Sequence, residues 1–208
     1  MNEFANHFLF EFVTLLVVLD PVATIPIYLA VTRGLDRKRA LLVAFYALGV
    51  SFLILLFFIV VGQHLLEALK ITMPQFQLAG SLILLLFALK LVLGQVVAEA
   101  ESIPAEATAL ERAIYPLAIP GIAGTGSMLT VVLLTDNHSR TVLEQVSTTG
   151  ILVLCLAIFF CVFAAAGAIF RLLGAPGVQI ISRVFGLVLA SLAVKNLVTA
   201  IRLSFGIA

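Results

Sequence analysis

The run Asp20-Pro21-Val22-Ala23-Thr24-Ile25-Pro26 places a carboxylate and two prolines in the middle of an apolar segment that extends from about Phe8 to Val31. A helix of about 20 residues spans a bilayer, so Asp20 is predicted to lie near the hydrocarbon midplane. A charge at that depth costs about 2.5–3.5 kcal/mol on the insertion scale and normally faces a cavity or a partner. Because each proline removes a backbone donor and clashes with the preceding turn, the segment is predicted to be a broken helix. The break must be covered by protein or line a polar cavity.

Asp20 has three chemical roles open to it in such a break. Its carboxylate can cap the helix that restarts after the break, bind a proton or cation that drives transport, or contact the ammonium group of a substrate. These roles are compatible, because a carboxylate that accepts backbone N–H bonds can also change its charge state. Thr24 is the neighbouring hydroxyl predicted to line the cavity.

A second run, Ile119-Pro120-Gly121-Ile122-Ala123-Gly124-Thr125-Gly126-Ser127, has the composition of another helix break. Its glycines allow backbone amides to approach a ligand closely. A helix that starts near Ser127 would present free N–H groups and a positive dipole end, which suit an anionic group such as a carboxylate. Thr125 and Ser127 add hydroxyls. The spacing matches neither nucleotide phosphate-binding loop, and the alternative is close helix packing by small residues.

Other polar residues within the apolar segments are weaker candidates. Arg183 could anchor the protein at the inner surface or act in gating, and Asn196 is a candidate polar contact inside the bundle or in ion coupling. Cys155 and Cys161 stand six residues apart in an apolar run, which fits neither a metal site nor a disulfide. The sequence predicts no bound metal and no cofactor.

The composition identifies an integral membrane protein. Of the 208 residues 62% are hydrophobic and only 11% are charged, with a mean hydropathy of +1.22, whereas soluble domains have about 25% charged residues. The net charge of +1 gives no indication of nucleic-acid binding, and no basic run in the sequence is long enough for that role. No catalytic motif is present, and Asp36 and Asp136 lie in predicted loops, so an aspartyl protease would lack its second membrane aspartate. We therefore expect no enzyme.

The hydropathy of the chain predicts six transmembrane segments and an all-α fold. The segments cover about residues 8–31, 40–66, 75–97, 116–135, 146–173 and 178–207. A polar stretch divides the single transmembrane domain into repeat 1 (1–97), a connecting loop (98–115) and repeat 2 (116–208). The Lys and Arg residues near segment ends are densest at Arg33–Arg39, which predicts that both termini lie outside.

The two halves show a weak internal repeat. Gly62 and Gly80 are 18 residues apart in the first half, and Gly167 and Gly186 are 19 apart in the second. The Pro-broken first segment then corresponds to the broken fourth segment. Because each half has three segments, an odd number, the second half enters the membrane in the opposite orientation to the first. In many secondary transporters with such inverted repeats, paired discontinuous helices form the substrate site. The alternative is that Gly and Pro are simply common in membrane helices.

This arrangement predicts which residues form the site. The residues predicted to bind substrate are Asp20, Pro21, Thr24, Pro26, Pro120, Gly121, Gly124, Thr125, Gly126 and Ser127, and those considered for gating or ion coupling are Asp20, Arg183 and Asn196.

Together with Ser182-Arg183-Val184-Phe185-Gly186, these runs make the chain similar to the MarC family of bacterial and archaeal inner-membrane proteins over nearly its whole length. That family typically carries Asp-Pro-x-Gly-Asn-x-Pro, Pro-Leu-x-x-Pro-x-x-x-Gly-Pro-Gly and Arg-x-x-Gly in its first, fourth and sixth segments. Here Ala23 and Thr24 replace the Gly and Asn, and Thr125 replaces a Pro. These departures fall inside the predicted site, where we expect the specificity of this chain to differ.

The resemblance implies a six-helix protein related to the amino-acid exporter superfamily that includes LysE, whose members of the MarC type transport small neutral amino acids such as glycine and alanine. It predicts a secondary transporter in the inner membrane that works by alternating access, driven by H⁺, Na⁺ or exchange, because no nucleotide motif is present. The alternatives are a non-transporting membrane scaffold or regulatory protein and an intramembrane enzyme.

Overall fold

The regular structure of this chain is helical throughout the parts described by the computed structural model, residues 2–104, 106–135 and 142–206. The elements are α1 (Asn2–Leu19), α2 (Ile25–Val31), α3 (Arg37–Ala68), α4 (Met73–Val92), α5 (Gln95–Glu101), α6 (Ala109–Arg112), a wide-turned segment (Ala113–Ile122), α7 (Thr125–Leu134) and α8 (Val142–Phe205). Gly174, with φ 64° and ψ 179°, interrupts α8 at the turn predicted between the last two segments.

Four helical stretches within the described residues are long and apolar enough to cross a membrane. They are α3, α4 and the two parts of α8, Leu143–Ala168 and Gln179–Phe205. The helical residues Ala109–Ile122 and α7 form a bent pair, with an angle of 58°, that can supply a fifth crossing. The apolar part of α1, His7–Leu19, is shorter than a full span. The prediction of a multi-pass, all-α membrane protein is therefore confirmed.

The connection between the halves differs from the predicted polar loop. The third segment was expected to extend to about Val97, but α4 ends at Val92 because Gly94 takes a left-handed conformation, with φ 76°. The chain then forms the short helices α5 and α6, and Thr108 and Glu111 close α6 with reciprocal hydrogen bonds at its start. Asp136 and His138, which the sequence places in the polar turn before the fifth segment, lie outside the described residues.

The core lies where α8 packs along α4 and against α2 and α3. The Tyr28 ring stacks on Phe163, with ring centroids 4.4 Å apart. Glu11, buried in α1, accepts a hydrogen bond of 3.0 Å from the Thr148 hydroxyl of α8. Large apolar side chains such as Leu53 and Val188 remain exposed on the outside of the bundle, as expected for a lipid-facing surface.

The glycines of the proposed repeat do not all have the same packing role. An added Cβ would lie 2.6 Å from Val132 at Gly62, 2.8 Å from Thr125 at Gly80 and 2.9 Å from Val92 at Gly186. Gly167 has no neighbouring atom within 4 Å of such a Cβ. Three of the four glycines therefore mark close helix contacts, and the fourth does not.

Candidate functional site

The first break separates α1 from α2 at the Asp20–Pro26 run. Asp20 has a φ of 49°, a left-handed conformation that ends α1 and that Asp tolerates better than most residues. Pro21 follows directly and cannot continue the helix. The chain turns over Pro21–Thr24 and becomes helical again at Ile25. The predicted break is therefore present at the predicted residues.

The polar groups of this break are bonded locally. Asp20 Oδ1 accepts a hydrogen bond of 3.1 Å from the Ala23 N–H, and the Thr24 hydroxyl donates one of 2.9 Å to the Pro21 carbonyl. The N-cap position of α2 is Thr24, whose side chain makes no capping bond. Asp20 therefore stabilises the turn before α2 rather than capping α2 itself. These bonds give polar groups at the break hydrogen-bond partners that lipid cannot supply.

The second break lies between the wide-turned segment and α7. Tyr115 and Ile119 have extended backbone angles inside this segment, and each precedes a proline, which disfavours the helical conformation of the residue before it. The next helix begins at Thr125, two residues before the predicted start, with Gly124 as its N-cap. A Cβ on Gly124 would lie 2.7 Å from the Pro120 carbonyl oxygen, so only glycine fits.

The two breaks lie against each other. A Cβ added to Gly126 would be 3.9 Å from Val18 Cγ1, near the end of α1, and one added to Gly121 would be 3.7 Å from Ile27 Cδ1 in α2. They border a common cavity of about 260 Å³. This volume is slightly below the usual range of ligand pockets, about 300–1,000 Å³, and suits a small ligand.

The cavity wall is mostly apolar with a few polar groups. Its polar side chains come from both breaks and from α4, α7 and α8, and they are Asp20, Thr24, Gln77, Ser127, Thr130 and Asn196. Gln77 Nε2 donates a hydrogen bond of 3.4 Å to the Asn196 carbonyl oxygen. The Ser127 hydroxyl donates to the Ile122 carbonyl at the end of the wide-turned segment, and the Thr130 hydroxyl donates to the Gly126 carbonyl within α7. The cavity thus combines a carboxylate, amides and a helix N-terminus in an apolar setting.

The structure brings most of the predicted binding residues to this cavity. The predicted residues in its wall are Asp20, Thr24, Pro120, Gly121, Gly124, Gly126, Ser127 and Asn196. Sequence reasoning missed Gln77 and Thr130. The signal for Gln77 was its position three residues before Gly80, where α4 comes close to the second break.

Four predicted residues lie elsewhere. Pro21 and Pro26 shape the first break without lining the cavity. Thr125 points to α4, where its hydroxyl donates a hydrogen bond of 2.7 Å to the Gly80 carbonyl. Arg183 lines a separate cavity beside the end of α4.

The two broken elements are joined by a buried arginine. Arg112, which is 6% exposed, donates hydrogen bonds to the carbonyls of Val31 (3.0 Å), Pro104 (2.8 Å) and Ala107 (3.4 Å). Val31 is the last residue of α2. The guanidinium thus supplies donors to a helix end whose carbonyls have no partner within the helix.

An ion pair lies beside this junction. Lys90 Nζ is 2.9 Å from Glu99 Oε1, and the Tyr115 hydroxyl donates a hydrogen bond of 2.8 Å to Glu99 Oε2. The hydrogen bond from Lys90, with a second from Tyr115, lowers the pKa of Glu99 below its usual range. This cluster connects the end of α4 to α5 and to the start of the second break.

Comparisons with known proteins find relatives that match nearly the whole chain. The profile described as "MarC family integral membrane protein" matches residues 5–205. A UPF0056 membrane protein of Aquifex aeolicus is 30% identical over 205 residues, which cover 97% of this chain and 95% of the relative. The UPF0056 inner membrane protein YhgN of Escherichia coli is 27% identical over 202 residues, 95% of this chain and 98% of the relative. No solved structure matches the chain.

Proposed function

This chain belongs to the MarC family of integral membrane proteins, and we propose that it is a secondary transporter of a small neutral amino acid or a similar small metabolite. The observation that carries the proposal is the cavity shared by the two helix breaks. Broken helices are costly in a membrane, and they are tolerated where they line a cavity. Transporters use such paired breaks to hold their substrates.

The proposed architecture has six crossings arranged as a 3+3 inverted repeat. Residues 1–97 form the first repeat and residues 116–208 the second, joined by residues 98–115. In this arrangement α1 and α2 together make the first crossing, and the bent pair ending in α7 makes the fourth. The name of the E. coli relative supports a location in the inner membrane. The Lys and Arg distribution supports termini on the outer side.

The chemistry of the cavity fits a zwitterion. Gly126 and Ser127 are in the first turn of α7, whose leading N–H groups lack partners within the helix and carry its positive dipole end. They suit the carboxylate of an amino acid. The Asp20 carboxylate suits its ammonium group, with the amides of Gln77 and Asn196 as further contacts. The rest of the cavity wall is apolar and the volume is about 260 Å³, which favours an amino-acid substrate with a short, uncharged side chain.

The proposed mechanism is alternating access without a chemical step. Substrate binds in the cavity while one side is closed, and the two repeats then rearrange around it. An H⁺ or Na⁺ gradient, or exchange for another substrate, supplies the energy, and Asp20 is the proposed site of ion coupling. The partners are thus a small molecule, a coupling ion and the surrounding bilayer, with no cofactor, no nucleic acid and no enzymatic reaction.

Counterflow in liposomes tests this proposal. Purified protein is reconstituted into vesicles loaded with unlabelled glycine, alanine or another neutral metabolite, and uptake of the labelled compound is measured. Wild type is expected to accumulate at least one compound transiently. Asp20→Asn, which removes the charge at the cavity, is expected to reduce that uptake about tenfold or more. Absence of counterflow for every compound would contradict the transporter, and uptake unaffected by Asp20→Asn would contradict the assigned site.

A further inference from the structure

A second cavity of about 200 Å³ lies between the end of α4, the start of α5 and the second half of α8. Its wall includes Gly94 and Ala98 on one side and Gln179, Ser182 and Arg183 on the other. It shares no wall residue with the cavity between the helix breaks. By liquid volume it has room for roughly seven water molecules, so it can hold a small oxyanion.

A close contact between α4 and α8 lies next to this cavity. A Cβ added to Gly186 would lie 2.9 Å from both the backbone N and Cγ2 of Val92. The two helices therefore already touch one turn beyond Ser182 and cannot move closer to fill the space. Ser182 is only 1% exposed, and its hydroxyl oxygen has no hydrogen-bond partner among the described residues. A buried hydroxyl normally has a hydrogen-bond partner, and a polar ligand in the cavity would supply one to Ser182.

The charge in this cavity is positive. The Arg183 side chain is exposed and forms no ion pair within the described part of the chain. Glu99, the residue after Ala98 on α5, carries an acidic side chain. Both of its oxygens are engaged, one by Lys90 at 2.9 Å and the other by Tyr115 at 2.8 Å. The Arg183 guanidinium is thus available to an anion.

The position of the cavity indicates the source of that anion. Arg112 binds the last carbonyl of α2, and α5 packs on α2. The cavity beside α5 therefore lies on the same side of the bundle as the basic segment Arg33–Arg39. Arg183 is close to the start of the apolar stretch Gln179–Phe205, and the ends of membrane-spanning helices lie near the lipid headgroups.

We propose that this cavity binds a phosphate group at the membrane surface, presented by the headgroup of an anionic phospholipid. The planar guanidinium of Arg183 can bind two phosphate oxygens at once. The Gln179 amide and the Ser182 hydroxyl are the other donors. Basic pockets between transmembrane helices are suited to such headgroups. Free phosphate has the same chemistry, and the experiment separates the two sources.

Thermal unfolding of the full chain in non-ionic detergent tests the site. The midpoint is measured against increasing phosphatidylglycerol, a diacylglycerol with the same acyl chains, and inorganic phosphate. Phosphatidylglycerol is expected to raise the midpoint saturably in wild type, and diacylglycerol is not. Arg183→Gln is expected to weaken the apparent affinity about tenfold or more, because the charge-assisted hydrogen bonds of the guanidinium are lost. Arg202→Gln, a change to an exposed arginine elsewhere on α8, is the matched control and should bind as wild type does.

A second variant keeps the test valid if Arg183→Gln does not fold. Ala98→Leu fills the cavity from the opposite wall and leaves the guanidinium in place, and it is expected to lose the same stabilisation. Stabilisation by inorganic phosphate as well would assign the site to phosphate in general, and stabilisation by phosphatidylglycerol alone would assign it to the lipid headgroup. Equal stabilisation of all four proteins, or an equal effect of diacylglycerol, would overturn the site.

Discussion

At the scale of single residues, Asp20 has a structural task and a proposed chemical one, and substitutions can separate them. Its positive φ ends α1, and its carboxylate accepts the Ala23 N–H. Asn tolerates the same φ and keeps the acceptor, so Asp20→Asn is expected to retain the thermal midpoint of wild type while transport falls. Asp20→Val is expected to lower the stability by about 1–3 kcal/mol, because a β-branched residue is strained at this φ.

The comparison of these two variants by thermal unfolding in detergent checks the structural task independently of transport. Equal midpoints for Asp20→Asn and Asp20→Val would show that the left-handed conformation of Asp20 and its local turn do not contribute to the stability of the protein.

Thr125 contacts Gly80 of α4, and this contact gives Thr125 a packing role. It packs on Gly80, and a Cβ there would lie 2.8 Å from Thr125 Cβ. Gly80→Ala is therefore expected to force α4 and α7 apart and to cost about 1–3 kcal/mol, as overpacking does. Gly49→Ala is the matched control: it lies in helix α3 with no atom within 4 Å of the new Cβ, and it should leave stability unchanged or slightly raised.

A thermal midpoint of Gly80→Ala equal to that of Gly49→Ala would show that the α4–α7 contact is not tight. The Thr125 contact also indicates that the departures from the MarC motifs do not all have the same role. Thr24 lines the cavity, whereas Thr125 positions a helix.

At the scale of elements, Arg112 connects the end of α2 to the segment that leads into the second break. A lysine has one compact ammonium and cannot reach three carbonyls in different directions as the guanidinium does. Arg112→Lys is therefore expected to destabilise the protein by about 2 kcal/mol or more, because buried carbonyls lose their donors. The thermal midpoint measures this loss.

Arg39→Gln is the control for that change. Arg39 is 76% exposed and 3.6 Å from Asp36, and exposed pairs contribute only about 0–1 kcal/mol. If Arg112→Lys is no more harmful than Arg39→Gln, the guanidinium does not join the two broken elements.

The Lys90–Glu99–Tyr115 cluster predicts a pH dependence of stability. Because its partners lower the pKa of Glu99 below the ordinary 4.5, the carboxylate stabilises the fold at pH values above 4.5. That stabilisation is lost as the pH falls through the lowered pKa. Wild type is therefore expected to melt above Glu99→Gln at pH 7, and the difference should shrink as the pH falls below 4.5.

Glu106→Gln provides the comparison for this pH series, since Glu106 is exposed in the same connecting region. A difference between wild type and Glu99→Gln that stays constant from pH 7 to below 4.5 would contradict the role of the charged carboxylate.

The elements also show what the sequence can and cannot predict. Both breaks were predictable, because the prolines in each run cannot continue a helix and disfavour a helical conformation of the residue before them, as at Ile119. The left-handed conformation of Asp20 was not predicted. The early end of α4 and the helices α5 and α6 were missed, since a polar composition alone does not distinguish a loop from a surface helix. The Gln77 contact with Asn196 joins residues 119 positions apart, and no local pattern encodes such a pairing.

At the scale of the whole molecule, the cavity between the breaks follows much of the length of α4. The cavity extends from the breaks to Leu133 of α7 and to Gln77 near the start of α4. Along α4 the cavity wall also includes Phe87, which precedes Lys90 by three residues, or about 5 Å along the helix axis. The contact between Lys90 and Glu99 therefore lies within about one helical turn of the cavity wall.

The central proposal is that transport passes through the cavity between the two breaks, and Gly126 offers the sharpest test. A Cβ at Gly126 would make an ordinary contact of 3.9 Å with Val18, so Gly126→Ala fits, whereas the larger side chain of Gly126→Leu must enter the cavity. Counterflow of the transported compound should therefore persist in Gly126→Ala and be abolished in Gly126→Leu, with both proteins reconstituted to equal amounts. Equal counterflow in the two variants would contradict a route through this cavity.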